Sequence, residues 1–307
     1  MFNYTSHRNI FFSVSIALVT VSILSLIFFG LKPGIDFIGG TMMEIGYETG
    51  TPTNQEIKDK LAQFNLKELS VQSSSEKSFI LRFSIESSSE ISNEGGVDET
   101  VHQNILESLG NPEEIRFESI GPTIGRELAK NAKWSVFLSL IAITVYIVLA
   151  FKKLGKIFGH GESWRYGAGA LIALAHDVII MLGFFSLLGH FKGVEINSAF
   201  ITAILIVMGY SVNDTIVVYD RIRENLLTYR FKELNQVISV SVTETIVRSL
   251  NTSLTTIFAL LAIYLFGGES IRNFSLAMIV GIGIGTWSSI VIASNFLLLG
   301  RKKEVGK

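Results

Sequence analysis

The chain contains no cysteine among its 307 residues, so disulfide bonds, thiolate catalysis and cysteine-based metal sites are excluded. Charged residues are scarce, at 17% against the ~25% of an ordinary soluble domain. No phosphate-binding loop of the Walker type occurs, which excludes nucleotide hydrolysis by that route. If the protein performs work, an ion gradient is the available source of energy.

Hydrophobic residues make up 48% of the chain and are gathered into long runs. Six runs of about 18 to 26 residues are each long enough to cross a ~30 Å hydrocarbon core as a helix. We therefore predict an α-helical polytopic membrane protein with six transmembrane helices. No small-residue cleavage site follows the first run, so we expect a retained anchor. The predicted spans are Ile10–Gly30, Trp134–Phe151, Ala168–Gly189, Ile196–Val218, Ile246–Phe266 and Phe274–Leu299.

Basic residues alternate between the short connections, which predicts the orientation of the chain. Cytoplasmic loops of membrane proteins carry the excess of Lys and Arg, so both termini are predicted to lie in the cytoplasm. The remaining short loops carry one basic residue each, Lys192 and Arg272. The basic residues of the predicted cytoplasmic side are Arg8, Lys152, Lys153, Lys156, Arg165, Arg221, Arg223, Arg230, Lys232, Arg301, Lys302, Lys303 and Lys307.

The segment 31–133 is then extracytoplasmic and is predicted to form one small α+β domain. A capping box at Thr53 opens a helical pattern, and alternating hydrophobic residues indicate strands. The order β-α-β-β-α-β is that of the ferredoxin-like fold. The predicted strands are Thr41–Glu48, Glu68–Gln72, Ser78–Ile85 and Ile115–Ile120, and the predicted helices are Thr53–Asn65 and Val97–Leu109, with a turn at Glu86–Gly96.

The chain thus divides into an N-terminal anchor (1–30), the α+β domain (31–133), a five-helix bundle (134–299) and a tail (300–307). The α+β domain holds 10 Lys and Arg against 17 Asp and Glu, a net charge of −7. This acidic surface serves either solubility alone or the docking of an unfolded basic chain. His102 is expected to be a surface residue rather than a ligand.

Asp214 lies inside the fourth hydrophobic run, where a charge costs several kcal/mol unless it is paired, hydrated or neutralised. Ser211 and Asn213 are hydrogen-bonding neighbours at the same depth. A functional carboxylate on an ion pathway is therefore predicted. The alternative is that this polar cluster only joins helices.

Arg248 begins a similar cluster, with Asn251, in the next predicted span. Because the two spans are consecutive, Arg248 and Asp214 fall at a similar depth and are predicted to pair. The alternative is an interfacial arginine that extends its side chain to the headgroups.

Asp177, in the middle of the third run, is either a second proton site or a helix-packing group. Two intramembrane aspartates could also form an aspartyl protease dyad. The local sequence Val-Asn-Asp around Asp214 and the nearby Arg248 argue against that reading.

Small residues recur at four-residue spacing in the last run, which predicts a helix-packing face. The face includes Gly281 and Gly285.

Four segments resemble the SecD/SecF family, and the Gly209–Asn225 segment (GYSVNDTIVVYDRIREN) is similar to its SecF branch. The other three are Gly34–Thr41 (GIDFIGGT), Gly121–Leu128 (GPTIGREL) and Arg248–Ser253 (RSLNTS). The resemblance covers essentially the whole chain. Its motif residues in the first two of these segments, expected to act as hinges of the α+β domain, are Gly34, Asp36, Gly39, Gly40, Gly121, Pro122 and Gly125.

The resemblance implies the resistance–nodulation–division superfamily and a multi-pass accessory of the Sec translocon in the bacterial inner membrane. It implies SecD, SecYEG, YajC and unfolded preprotein as partners, with no enzyme activity, no nucleic acid and no cofactor. The coupling ion is expected to be the proton, with sodium as the alternative, and the resemblance implies that Asp214 and Arg248 belong to its pathway. Two other functions remain open, a small-molecule or lipid exporter of the superfamily and a passive assembly factor.

Overall fold

The computed structural model describes residues 8–48, 50–74, 77–84, 99–152, 162–228 and 233–298. It has two compact units, Pro33–Lys133 on the one hand and Met1–Lys32 with Trp134–Lys307 on the other. Several sequence predictions lie outside the described residues. These are the turn Glu86–Gly96, the tail 300–307 and four loop residues, Lys153, Lys156, Arg230 and Lys232.

In its described residues, the unit Pro33–Lys133 forms a four-stranded antiparallel sheet with two longer helices, as predicted. The strands lie in the order β2-β3-β1-β4, and every neighbouring pair is antiparallel, which is the ferredoxin-like arrangement of a split βαβ pair. A one-turn helix, α2, was not predicted. The elements are α2 Ile35–Ile38, β1 Gly40–Gly46, α3 Asn54–Leu61, β2 Lys67–Ser73, β3 Ser78–Ser84, α4 Glu99–Leu109 and β4 Glu113–Ile120.

The predicted capping box begins α3. The Glu56 backbone N–H donates to Thr53 Oγ1 at 3.3 Å, and the Thr53 N–H donates to Glu56 Oε2 at 2.9 Å, which satisfies two backbone donors that a helix start leaves open. The core beneath the sheet includes Ile57, Leu61 and Ile105. These contacts fix both helices on one face of the sheet.

His102 is not an isolated surface residue. Its ring stacks on Phe117 with 4.2 Å between centroids, and Nε2 contacts the Glu114 carboxylate. The ring thereby joins α4 to β4.

Within the described residues, six helices are long and apolar enough to span a membrane, which confirms the predicted class. Two of them, α5 and α8, begin 12 residues before the predicted spans, at Pro122 and Leu234. Hydropathy detects only the lipid-crossing part of a helix, whereas backbone hydrogen bonding continues beyond it. The helices are α1 Arg8–Phe28, α5 Pro122–Ala150, α6 Glu162–Lys192, α7 Ser198–Thr228, α8 Leu234–Phe266 and α9 Glu269–Ser288, the last continued by a π-helical turn, Ser289–Ala293, and α10 Ser294–Phe296.

Serine side chains join α1 to α6. Ser25 Oγ donates to Ser186 Oγ at 2.9 Å, and Ser186 Oγ lies 3.0 Å from the Ser25 carbonyl. A Cβ at Gly183 would lie 2.2 Å from the Ser22 Cβ, so only glycine permits this approach. Close contact through small residues is how helices associate without a hydrophobic driving force in lipid.

We expect Gly183→Val to separate α1 from α6, because the added side chain overlaps both the Ser22 backbone and its side chain. Overpacking of this kind costs about 1–3 kcal/mol or more, which thermal denaturation of the purified protein in detergent would detect as a lower midpoint. Gly283→Val is the matched control, since a Cβ there meets no atom within 4 Å. Equal midpoints for the two variants would contradict the proposed packing.

Candidate functional site in the helix bundle

The Asp214 carboxylate lies inside the bundle, with 4% of the residue exposed. Thr286 Oγ1 of α9 donates to Asp214 Oδ2 at 3.4 Å and shares a 2.5 Å hydrogen bond with Ser253 Oγ of α8. Ser249 lies one turn before Ser253, and its buried hydroxyl has no hydrogen-bond partner within the described ranges. Hydroxyl groups from two neighbouring helices therefore face the carboxylate.

A cavity of about 560 Å³ opens between α1, α8 and α9 on the other side of these hydroxyls. Its walls are mostly apolar, with Phe11, Leu250 and Ile290 among them, but Ser253 and Thr286 also line it. The Thr286 side chain therefore lines the cavity and also donates to the Asp214 carboxylate.

Asp177 of α6 is completely buried and has three polar neighbours. Ser211 Oγ of α7 donates to Asp177 Oδ2 at 2.6 Å, and Ser288 Oγ, at the end of α9, donates to the same oxygen at 2.8 Å. Nδ1 of His176 lies 3.0 Å from Oδ1. The carboxylate therefore joins three helices, and Ser211 lies one helical turn before Asp214.

The structure corrects the predicted pairing of Arg248 with Asp214. Within the described part of the chain, no nitrogen of Arg248 lies within 4 Å of that carboxylate, and the Arg248 side chain is exposed on the outer surface of α8. The reason is helical rotation, because successive residues turn by about 100° and the buried neighbour is Ser249.

Asn213 and Asn251 are also exposed, although they were predicted to belong to the same buried path. Of the polar residues predicted around Asp214, Ser211 is buried. The pathway residues thus divide into an inner set, Ser211 with the two aspartates, and an outer set, Asn213, Arg248 and Asn251.

Gly281 and Gly285 lie where α9 meets its neighbours. A Cβ at Gly281 would lie 2.5 Å from Val207 Cγ2 and 2.7 Å from Met181 Sδ, and one at Gly285 would lie 2.9 Å from Ser211 Cβ. Gly285 therefore lets α9 approach α7 at the serine that binds Asp177.

The last helix widens immediately after Ser288. Ser289–Ala293 is π-helical, and the Ala293 carbonyl accepts a 3.1 Å hydrogen bond from the Tyr219 hydroxyl of α7. Single π-turns inside α-helices often accompany functional sites. Here the turn follows the two hydroxyl-bearing residues, Thr286 and Ser288, that contact the aspartates.

The two glycine-containing segments of the α+β unit lie side by side. Gly39 (φ +81°) precedes β1, and a Cβ there would lie 2.8 Å from the Pro122 Cα. A Cβ at Gly125 would lie 2.8 Å from the Gly39 nitrogen. The start of β1 and the start of α5 are thus in backbone-to-backbone contact, and the hinge role of these residues stays a prediction.

The other motif residues surround this contact. Gly34 is buried at the start of α2, Asp36 is half-buried in its first turn, and Gly40 has a φ of +124°. The Gly121 carbonyl accepts from the Gly125 N–H at 3.0 Å.

Thr286 and Ser288 were not predicted from the sequence. Hydroxyl side chains inside spans commonly bond to their own helix, as Thr252 does to the Arg248 carbonyl at 2.9 Å. The one feature of the sequence that could have indicated them is their position beside Gly285, which belongs to the predicted helix-packing face.

Two family models match the chain. The model described as protein export membrane protein SecD/SecF, C-terminal, matches residues 101–303, and the SecD/SecF GG motif matches residues 24–51. The second match includes the Gly39-Gly40 pair.

Similar proteins cover nearly the whole chain. The protein translocase subunit SecF of Thermobaculum terrenum is 38% identical over 99% of this chain and 95% of that protein. The SecF subunit of Anaerolinea thermophila is 33% identical over 99% and 96%, respectively.

Among solved structures, SecDF from Thermus thermophilus, described as a translocon-associated membrane protein, matches with a TM-score of 0.79 and 29% identity. A super-membrane-facing form of SecDF matches with a TM-score of 0.66. Both matches cover 97% of this chain, which spans only 38% of the length of the SecDF chains.

Proposed function

Because the chain belongs to the SecD/SecF family of protein export membrane proteins, we propose that it draws on the proton motive force through Asp214 to promote late preprotein translocation. It is an accessory subunit of Sec export, a transport component rather than an enzyme. The observation that carries the proton proposal is the buried Asp214 carboxylate, which accepts from the Thr286 hydroxyl and has no cation within 4 Å in the described residues.

The Thr286 hydroxyl suits Asp214 in both protonation states. Its single hydrogen can go to Asp214 Oδ2 at 3.4 Å or to the Ile282 carbonyl of its own helix at 3.0 Å. With Asp214 ionised, Thr286 donates to the carboxylate. With Asp214 protonated, the acid donates to Thr286 Oγ1, and Thr286 donates to Ile282. A proton can therefore arrive and leave without stranding a buried polar group.

The outward position of Arg248 supports a partner in the membrane. An arginine, together with Asn213 and Asn251, on the lipid-facing surface of a bundle is costly unless another protein covers it. The partner we propose is SecD, with an intramembrane carboxylate placed to accept from the guanidinium. SecYEG and YajC are the further partners proposed for the assembly.

The distribution of basic residues supports an inner-membrane topology with both termini cytoplasmic. The α+β unit, with its acidic surface, then lies outside and meets the unfolded preprotein. One charge crossing ~100 mV supplies about 2.3 kcal/mol, enough for a fifty-fold shift of a two-state balance at about 1.4 kcal/mol per tenfold. The proposed role is therefore to bias chain movement rather than to unfold a domain, which takes about 5–15 kcal/mol.

The test is export in membrane vesicles from cells that lack the native SecF-type subunit. Vesicles carrying this chain and SecD should export a preprotein faster, and a protonophore should cancel the gain. A gain that persists with the protonophore but disappears when a sodium gradient is collapsed would replace the proton by sodium. An unchanged export rate would contradict the function itself.

We expect Arg248→Lys to lower gradient-driven export about tenfold or more. Lysine keeps the charge but loses the planar fork that binds a carboxylate with two hydrogen bonds, and one charge-assisted hydrogen bond is worth about 1.5–3 kcal/mol. Arg272→Lys is the control, because Arg272, near the start of α9, lies over the ring of Tyr264, near the end of α8, a contact that lysine can also make. Full activity of Arg248→Lys would mean that only the charge matters.

A further inference from the structure

Asp177 is surrounded in the same way as Asp214, although it lies on a different helix. The Ser288 hydroxyl has two acceptors within reach, Asp177 Oδ2 at 2.8 Å and the Gly285 carbonyl of its own helix at 3.1 Å. This repeats the choice that Thr286 has between Asp214 and the Ile282 carbonyl. The two hydroxyls are two residues apart on α9.

A carboxylate that serves only to hold helices together is usually paired with a residue that stays positively charged, such as arginine. Glu244 of α8 is such a case, because it accepts from Arg221 Nε at 2.7 Å and from Asn225 Nδ2 at 2.8 Å. Asp177 has no arginine or lysine within 4 Å in the residues that the structure describes, and its one titratable neighbour is His176. Its environment therefore fits a group that changes charge.

The titratable residues on the helices packed around Asp177 also favour a group that changes charge. Asp214 lies on α7, one helical turn after the Ser211 that donates to Asp177, whereas α1 has no titratable residue after Arg8 and the last helix has none from residue 273 to 298. Two carboxylates buried in one helix bundle are each harder to ionise while the other is charged. His176 contacts Asp177 through Nδ1, and its Nε2 is buried with no hydrogen-bond partner in the described ranges.

We propose that Asp177, with His176, is a second proton-binding site of the bundle, coupled to Asp214 through Ser211 and the Thr286–Ser288 turn. The inference rests on the proposed function, because Asp214 is the first site. With Asp177 ionised, His176 Nδ1–H donates to Oδ1 while Ser211 and Ser288 donate to Oδ2. With Asp177 protonated, the acid donates to Ser288 Oγ, and Ser288 donates to the Gly285 carbonyl.

Coupling between the sites follows from the shared helices. Ser211 and Asp214 lie on one face of α7, and Gly285 packs directly on Ser211. A proton at either aspartate changes which hydroxyl donates, and so changes how α9 is held against α7. Titrating groups that interact in this way release protons in steps that belong to the pair.

The experiment is infrared difference spectroscopy of the full chain in lipid vesicles, titrated from acid to alkaline pH. The C=O stretching band of protonated carboxyl groups in apolar surroundings should have two components. Asp214→Asn should remove one and Asp177→Asn the other, each about half of the band area. Asp59→Asn, on the exposed surface of α3, is the control and should change nothing in this band.

Ser288→Ala keeps both carboxyl groups and serves where Asp177→Asn fails to fold. It should move the Asp177 component and leave the Asp214 component in place. Ser275→Ala is its matched control, because Ser275 is a buried serine of the same helix that donates to its own Ile271 carbonyl, at 2.9 Å. It should leave both components unmoved.

A single component that Asp214→Asn abolishes, with no response to Ser288→Ala, would overturn the second site and leave the proposed function standing. Normal protonophore-sensitive export by Asp214→Asn would instead refute the proposed function. The two failures are thus separate, since the spectrum does not depend on export.

Discussion

Replacement of Asp214 by asparagine should abolish the part of preprotein export that depends on the proton gradient while leaving the bundle folded. The asparagine side chain has nearly the same shape, and its carbonyl oxygen can still accept from Thr286 Oγ1. It cannot gain or lose a proton in the physiological range. The loss therefore separates proton binding from packing.

The size of the effect follows from the energy that one proton supplies. About 2.3 kcal/mol per ~100 mV corresponds to roughly a fifty-fold bias, and the variant should lose all of it. The measurement is the export rate in vesicles with and without a protonophore. Asp59→Asn is the control, since Asp59 is exposed on α3 and accepts a 2.8 Å hydrogen bond from Gln55.

A passive assembly factor would behave differently. Export by Asp214→Asn would then stay at the wild-type level and remain equally sensitive to the protonophore. Such a result would leave Asp214 as a group that only joins α7 to α9 through Thr286.

The architecture could be predicted because it depends on patterns that are local in sequence. The lengths of the hydrophobic runs predicted the six spans. The Thr53 capping box and the alternating hydrophobic residues predicted the order of strands and helices in the α+β unit. The ends of the helices were harder to predict, because α5 and α8 begin well before their apolar runs. Their first turns include polar residues such as Arg126 and Asn235, which lower the hydropathy without ending the helix.

The site could be predicted only in part, because its geometry depends on which side of each helix faces a neighbour. Arg248 and Ser249 are adjacent in sequence, yet one is exposed and the other buried. A pattern of polar residues at one depth does not distinguish them. Thr286 and Ser288 carried no signal of their own, since their roles depend on the partners that α6 and α7 bring to them.

Gly285→Leu is expected to have the largest effect on stability and export together. A Cβ at this position would lie 2.9 Å from the Ser211 Cβ and 3.3 Å from its Oγ, and leucine adds three further carbons. Helices α7 and α9 must then separate, which weakens the bonds from Ser288 to Asp177 and from Thr286 to Asp214. Overpacking alone costs about 1–3 kcal/mol or more.

Two contributions of opposite sign, overpacking and helix propensity, decide the change in stability of each glycine variant. Replacing a glycine within a helix by a better helix former gains about 0.5–1 kcal/mol, so a stabilised protein is expected wherever space allows. Gly283→Leu meets that condition, because a Cβ there has no atom within 4 Å. The thermal midpoint in detergent should therefore fall for Gly285→Leu and hold or rise for Gly283→Leu.

Gly285→Ala should lie between these two variants, since its single Cβ overlaps Ser211 without filling further space. Proton-dependent export should follow the same order as the midpoints if the α7–α9 contact positions the carboxylates. A variant that keeps its midpoint but loses export would show that the close approach at Ser211 serves the proton sites beyond its contribution to stability. Normal midpoint and normal export of Gly285→Leu would contradict the contact itself.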